Sequence, residues 1–194
     1  MFVTLDDERM LGLWREGAGL EPALADASIE RFDGLDINRI LRTAMRSWYI
    51  DYLVRAPLDM VRVDNLTDYA RISRAATSDT WTVSLSCETA RIVSVTLRDT
   101  GHIPLLNPDD PAAAPVLTSL ANRFVRHGAI PVGLCRKASN TVTVFLNPEA
   151  LPVIREVRGV MIPEDDTFVV DERALAQIPD LAHKALYSSN SLIL

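Results

Sequence analysis

Arg39, Arg42 and Arg46 recur at helical spacing, and they are the charge pattern in this chain that most invites a chemical reading. Positions three and four apart share one face of a helix, and a row of guanidiniums offers forked donors to planar acids. The row is therefore a candidate docking surface for an acidic protein partner, set against the plain alternative of a solvated helix face. Arg123 and Arg126 make a smaller basic edge further along.

Other residues capable of chemistry lack the spacing that would assign them a task. His102, His127 and His183 have no second histidine or acidic partner at metal-ligand spacing, and a general base needs an orienting neighbour. Asp6-Asp7, Asp109-Asp110 and Glu164-Asp165-Asp166 are acidic clusters, but none alternates ligands around a sharp glycine turn as a calcium loop does. Asp33-Gly34-Leu35-Asp36 departs from that spacing too and reads as a turn followed by a helix cap. Phosphate-binding glycine loops, nucleophile elbows, paired-histidine zinc helices and kinase signatures are not found, so no catalytic residue, metal or cofactor is assigned. Cys87 and Cys135 lie far apart among apolar residues, which suits buried thiols better than a disulfide framework.

The elements that would position these residues follow from pattern and punctuation. A helix starts near Thr4 or Asp6 and runs to Gly17-Ala18-Gly19, and a weaker one covers Glu21 to Phe32. Asp36 caps the strongest helix, Ile37 to Arg55, which Pro57 terminates; Ile37, Ile40, Leu41, Ala44, Trp48, Tyr52 and Ala56 are its expected buried face. From Leu58 onward the period alternates, giving strands at Trp81–Leu85 and Ala90–Leu97 that are expected to form a hairpin. Pro104 confines whatever follows it to a sheet edge. A helix then runs from the Asn107-Pro108-Asp109-Asp110-Pro111 loop towards Gly128, a second hairpin spans Pro131 to Leu146, and a strand covers Val153 to Ile162. Asp171 starts a closing helix that breaks at Pro179 and restarts at Asp180.

This order predicts an α+β class: N-terminal helices, a mostly antiparallel sheet of two hairpins with an inserted helix, and a C-terminal helix. At 194 residues one domain is expected, with residues 1–56 as a helical region packing on a 57–194 core. Hydrophobic content of 48% and charged content of 24% are ordinary for a globular chain. A net charge of -6 disfavours nonspecific nucleic-acid binding, which relies on clustered basic groups displacing counterions. The opening residues carry no basic stretch ahead of an apolar core and no long apolar run follows, so neither a leader nor a membrane span is expected and the location is read as cytoplasmic. On that reading the glycosylation pattern Asn65-Leu66-Thr67 is a chance match.

Three segments carry a resemblance. Ser84 to Val95 is similar to the strand, short turn and arginine-led strand of the head-tail connector or neck-ring adaptor proteins of tailed phages and prophages, especially those of gut Bacteroidetes. Asn122 to Val132 resembles their link from helix to next hairpin, and Ile178 to Leu186 resembles their final helix, which opens after a proline. The proline usual in their first turn is replaced by Ser86 or Cys87. The resemblance implies a non-enzymatic, virion-associated assembly subunit that forms a homo-oligomeric ring around a portal or tail component, with Arg39, Arg42 and Arg46 as the docking row. The competing reading is an enzyme or a regulatory protein-binding domain without a recognisable motif.

Overall fold

The computed structural model describes residues 1–22, 30, 34–74, 80–121, 131–147 and 149–187. Most of the helix expected over Glu21–Phe32, and the stretch holding Arg123, Arg126 and His127, lie outside these residues. In chain order the first elements are β1 (Phe2–Asp6), α1 (Asp7–Gly17), α2 (Ile37–Arg55), β2 (Asp64–Asn65), β3 (Ala70–Arg74), β4 (Trp81–Leu85), β5 (Thr89–Leu97), β6 (Gly101–Ile103) and β7 (Leu105–Leu106). They are followed by α3 (Ala114–Ala121), β8 (Val132–Leu134), β9 (Thr141–Phe145), β10 (Ile154–Met161), β11 (Thr167–Asp171), α4 (Glu172–Leu175) and α5 (Ile178–Tyr187). The class is α+β with mostly antiparallel pairing, and it closes on a helix. Two compact units emerge, Met1–Arg62 with Pro163–Leu194, and Val63–Ile162.

In the first unit β1 pairs antiparallel with β11, from Phe2↔Asp171 to Asp6↔Thr167. The helix expected from Thr4 or Asp6 starts at Asp7; β1 occupies the residues before it and Asp6 is the cap, accepting from the Arg9 N–H at 2.8 Å. Asp36 caps α2 through the N–H groups of Asn38 at 2.8 Å and Arg39 at 3.4 Å, and α2 ends at Arg55, as Pro57 requires.

The buried stripe of α2 is rotated from the expected one: Asn38, Leu41, Met45, Tyr49, Tyr52 and Leu53 are buried, while Ile37, Ile40, Ala44, Trp48 and Ala56 are half-buried. Polar residues enter the stripe because they have partners. The fully buried Arg15 of α1 donates to Asn38 Oδ1 and, through Nε, to the Glu21 carbonyl at 2.8 Å. Tyr49 packs edge-on against Phe168 with ring centres 4.9 Å apart, and Trp48 stacks on Tyr52 at 5.5 Å.

The closing helix also differs from expectation. Pro179 lies inside the first turn of α5, where its missing N–H has no helical acceptor to lose, so the interruption falls at Ala176 and Gln177 instead. Gly17 lets α1 approach this turn, since a Cβ there would stand 2.7 Å from the Pro179 Cα.

The second unit holds two sheets, ordered β2-β10-β5-β6 and β3-β4-β9-β8-β7. Val83, Leu85, Val142 and Val144 from one sheet and Val95, Leu97, Ile103 and Val157 from the other meet in one apolar cluster. The hairpin expected from β4 and β5 does not form: β4 lies between β3 and β9, β5 between β10 and β6, and Ser86–Glu88 carries the chain from sheet to sheet. Two alternating strands joined by a short link can pair or can face each other across a core, and alternation alone does not distinguish these. The hairpin of β8 and β9 does form, with Val132↔Phe145 in register. After Pro104, β7 lies at a sheet edge, as its proline demands, and pairs parallel to β8. Cys87 is buried and Cys135 half-buried, both as free thiols, and burial pushes the Cys135 thiol above its ordinary value.

Candidate partner-binding site on helix α2

Asp36, Arg39, Arg42, Thr43 and Arg46 line a shallow concavity of about 250 Å³ along the first turns of α2. The helix alone brings these side chains together, because three- and four-residue steps return to one face. Two members of the expected arginine row are already engaged. Arg42 Nε donates to Asp7 Oδ2 at 2.9 Å, and Arg46 Nη2 reaches Asp166 Oδ1 at 2.8 Å and Asp7 Oδ1 at 3.6 Å. Asp7 is the more buried partner, with its side chain 19% exposed against 68% for Asp166. Arg39 is exposed, and no described carboxylate is paired with it. The row is thus one open guanidinium beside two that fasten α2 to the start of α1 and to the chain ahead of β11.

Sequence reasoning could not find Asp7 and Asp166 as partners, since they lie 35 and 120 positions from the arginines they meet. The acidic clusters that looked like loose cation ligands have structural tasks of the same kind. Asp6 caps α1, Asp109 meets Arg136 at 3.4 Å, Asp110 accepts from the Ala112 N–H at 2.9 Å, and Asp165 accepts from the Thr167 hydroxyl at 2.5 Å. Among the described residues no three His, Cys, Asp or Glu side chains gather where they could hold a metal ion. His102 on β6 and His183 on α5 are exposed, the latter against Tyr187 at 4.5 Å between ring centres.

The titrating groups most shifted from their ordinary values belong to a different cluster in the same unit. Arg173 donates from Nε to Asp171 Oδ1 at 2.7 Å and from Nη1 to Asp59 Oδ2 at 3.0 Å. The Arg173 hydrogen bond holds the Asp171 carboxyl well below the usual carboxylate range, and Asp171 in turn raises Arg173. Above them, Tyr49 Oη accepts from the Val169 N–H at 3.0 Å and Tyr52 Oη from the Asp171 N–H at 3.1 Å, while Tyr52 donates to the Met60 carbonyl. Burial raises both phenols above their ordinary value, with the accepted N–H bonds acting in the opposite direction. These groups satisfy one another and the outer edge of β11, and that occupation is structural.

The chain matches no family model, and neither a curated protein nor a solved structure is significantly similar to it. No described helix is long and apolar enough to cross a membrane.

A second concavity in the first unit, about 350 Å³, is lined by Trp48, Tyr52, Arg55, Pro57 and Met60 among others. Its charged members, Asp51 and Arg55, pair with each other at 2.7 Å one helical turn apart. Beside that ion pair it presents aromatic and aliphatic surface.

Proposed function

We propose that this protein is a non-enzymatic assembly subunit, a head-tail connector or neck-ring adaptor of a phage or prophage particle, that docks through the exposed face of α2 onto a portal or tail protein. The observation that carries the reading is the concavity at Arg39, Arg42 and Arg46, where carboxylates of the chain's own fold hold two guanidiniums in place and leave the third open. The open guanidinium supplies the steering charge for an acidic partner, while the two held by Asp7 and Asp166 fasten the helix that presents it. The resemblance over Ile178–Leu186 falls on α5, a helix with a proline in its first turn. The resemblance over Ser84–Val95 contributes less, because its two strands lie in different sheets.

Arg39→Glu is the discriminating substitution. The triple reversal of Arg39, Arg42 and Arg46 would also set glutamates against Asp7 and Asp166 and weaken the unit itself, whereas Arg39 is exposed and fastens nothing described. In particles purified from the induced native host, mass spectrometry is expected to find this chain at ring stoichiometry. With the purified portal, Arg39→Glu is expected to weaken binding at least fivefold with an unchanged thermal midpoint. Absence from intact particles, or unchanged binding, removes the reading.

A further inference from the structure

We propose that β1 is a pairing edge for a second copy of this chain, two β1 strands running antiparallel about a twofold axis at Thr4. Backbone groups of the β1–β11 ribbon point alternately towards and away from the partner strand. Val169 and Asp171 point their N–H groups away from β1 towards the Tyr49 and Tyr52 hydroxyls, and Glu172 donates to the Met1 carbonyl. In an antiparallel pair the inward and outward roles alternate, so Val170 and Phe168 bond to β1 and their register partners Val3 and Leu5 face β11. Phe2 and Thr4 therefore send their backbone groups to the other side, as does the Asp6 N–H, while the carbonyl of Asp6, the cap of α1, serves the first turn of that helix. Neither Phe2 nor Thr4 has a further described bond there, and Phe2, Thr4 and Asp6 are all exposed.

The two edges of this ribbon are thus treated differently. Tyrosine hydroxyls close the β11 edge, whereas the β1 edge is open along Phe2-Val3-Thr4-Leu5, a run with strong strand propensity, no charge, no proline and no bulge. Exposed edges are normally blunted by such devices. Elsewhere in the chain the edge strand β3 carries Arg71 and Arg74, and β2 is two residues long. The run is uncharged up to Asp6, the exposed carboxylate that ends it, and an open edge is a template for another strand.

The residues of the strand suit a second copy of itself, in a register centred on Thr4. With Thr4 on the axis, Thr4 meets Thr4 of the second copy and Phe2 meets its Asp6, so every outward residue finds an outward residue in register. Val3 of each copy then faces Leu5 of the other on the half-buried face. Threonine opposite threonine is a favourable cross-strand pair, and like charges, which would prevent self-pairing, are not opposed anywhere along the strand. The product is a four-stranded sheet, β11-β1-β1-β11, closed by symmetry. A five-residue strand buries far less than the roughly 1,200 Å² of a standard interface, so the contact is weak by itself, with dissociation in the range of about 10 to 1,000 μM.

Analytical ultracentrifugation across that range is expected to show an average mass climbing above the 21.5 kDa of one chain. Thr4→Pro removes only an outward N–H, so it is expected to leave the circular dichroism unchanged and to abolish the rise. Thr4→Lys places like charges on the axis and is expected to do the same should proline disturb β1. In a Cys135→Ser background, Thr4→Cys is expected to give a covalent dimer with a short bismaleimide, while Asp99→Cys at an exposed turn is not. A wild-type chain that stays monomeric to about 1 mM would overturn the proposal and leave the edge to a strand from a different protein. So would a dimer that persists in both Thr4 variants, or a Thr4→Cys chain that crosslinks no better than the control.

Discussion

Removing the Tyr52 hydroxyl tests whether the phenols of α2 hold the edge of β11 or merely fill space beside it. In Tyr52→Phe the ring remains, with its stacking on Trp48, while the acceptor for the Asp171 N–H and the donor to the Met60 carbonyl are lost. Asp171 is only 3% exposed, so water cannot readily replace that acceptor. A buried donor left without a partner costs about 1–3 kcal/mol, against about 1 kcal/mol for an ordinary bond given up to solvent. We expect Tyr52→Phe to lose about 2 kcal/mol, moving the urea midpoint of the first unit down by roughly 1 M, and Tyr49→Phe to lose about half as much because Val169 is only half-buried. Hydrogen exchange locates the loss, since the Asp171 amide should speed up in Tyr52→Phe and the Val169 amide in Tyr49→Phe. Linkage adds a signature. Folding raises both phenols above their ordinary value, so their contribution is complete below pH 10 and is lost as pH climbs through the folded values; the alkaline fall in stability should be shallower when both are phenylalanine. Unchanged stability in Tyr52→Phe, with unchanged exchange at Asp171, would refute the reasoning.

Asp171→Asn should flatten the acid side of the stability profile. The wild-type carboxyl is held down by Arg173, so its contribution is present above the ordinary carboxylate range and lost as pH falls below it; denaturation midpoints of both proteins between pH 7 and pH 2 would show the difference, and parallel curves would exclude it. Gly159→Ala should destabilise the second unit by about 1–3 kcal/mol, because a Cβ there stands 2.9 Å from the Arg91 carbonyl oxygen at a register shift between β10 and β5, where the backbone cannot give way. Gly133→Ala should cost less, since the atoms its Cβ meets are ends of the Leu105, Val142 and Ile103 side chains; calorimetry on the pair gives the order, and the reverse order would contradict the packing argument.

The elements most legible in the sequence were those whose ends and periods are local. Asp36 and Pro57 bracket α2 because a cap and a proline clash act within a few residues, and Trp81–Leu85 declares itself by alternation over its own length. Strand partners were less legible. The alternation of β4 and β5 says which residues face a core, but their separation into two sheets depends on β3, β9, β10 and β6, which come from both sides in sequence. Both β1 and β11 went unread: each is five residues long, each runs straight into a helix, and each is a strand only because the other completes the ladder. The rotated stripe of α2 has a comparable origin. Asn38 counts as polar on any pattern, and its bond from the buried Arg15, 23 positions away, helps to make its burial favourable. Of the candidate site, the shared face of Arg39, Arg42 and Arg46 was legible from spacing, whereas the carboxylates that occupy two of them were not.

That occupation makes the docking reading testable in both directions. If an acidic partner binds along α2, the carboxylate of Asp166 competes with it for Arg46 and also repels it across the same rim. Asp166→Asn should then strengthen partner binding while Arg39→Glu weakens it. The Arg46–Asp166 pair is exposed on both sides, which limits its strength to about 1 kcal/mol, so the gain should reach about fivefold. The loss in Arg39→Glu should be the larger effect, since it replaces attraction with repulsion in a guanidinium that pays nothing to be released. Both effects should shrink together as salt rises, because exposed charges are screened over about 8 Å at physiological ionic strength. Binding titrations of the two variants at low and high salt therefore examine sign, rank and screening in one experiment. Shifts in the same direction, or a pair of effects indifferent to salt, would show that the arginines of α2 only fasten the helix and that any partner binds elsewhere.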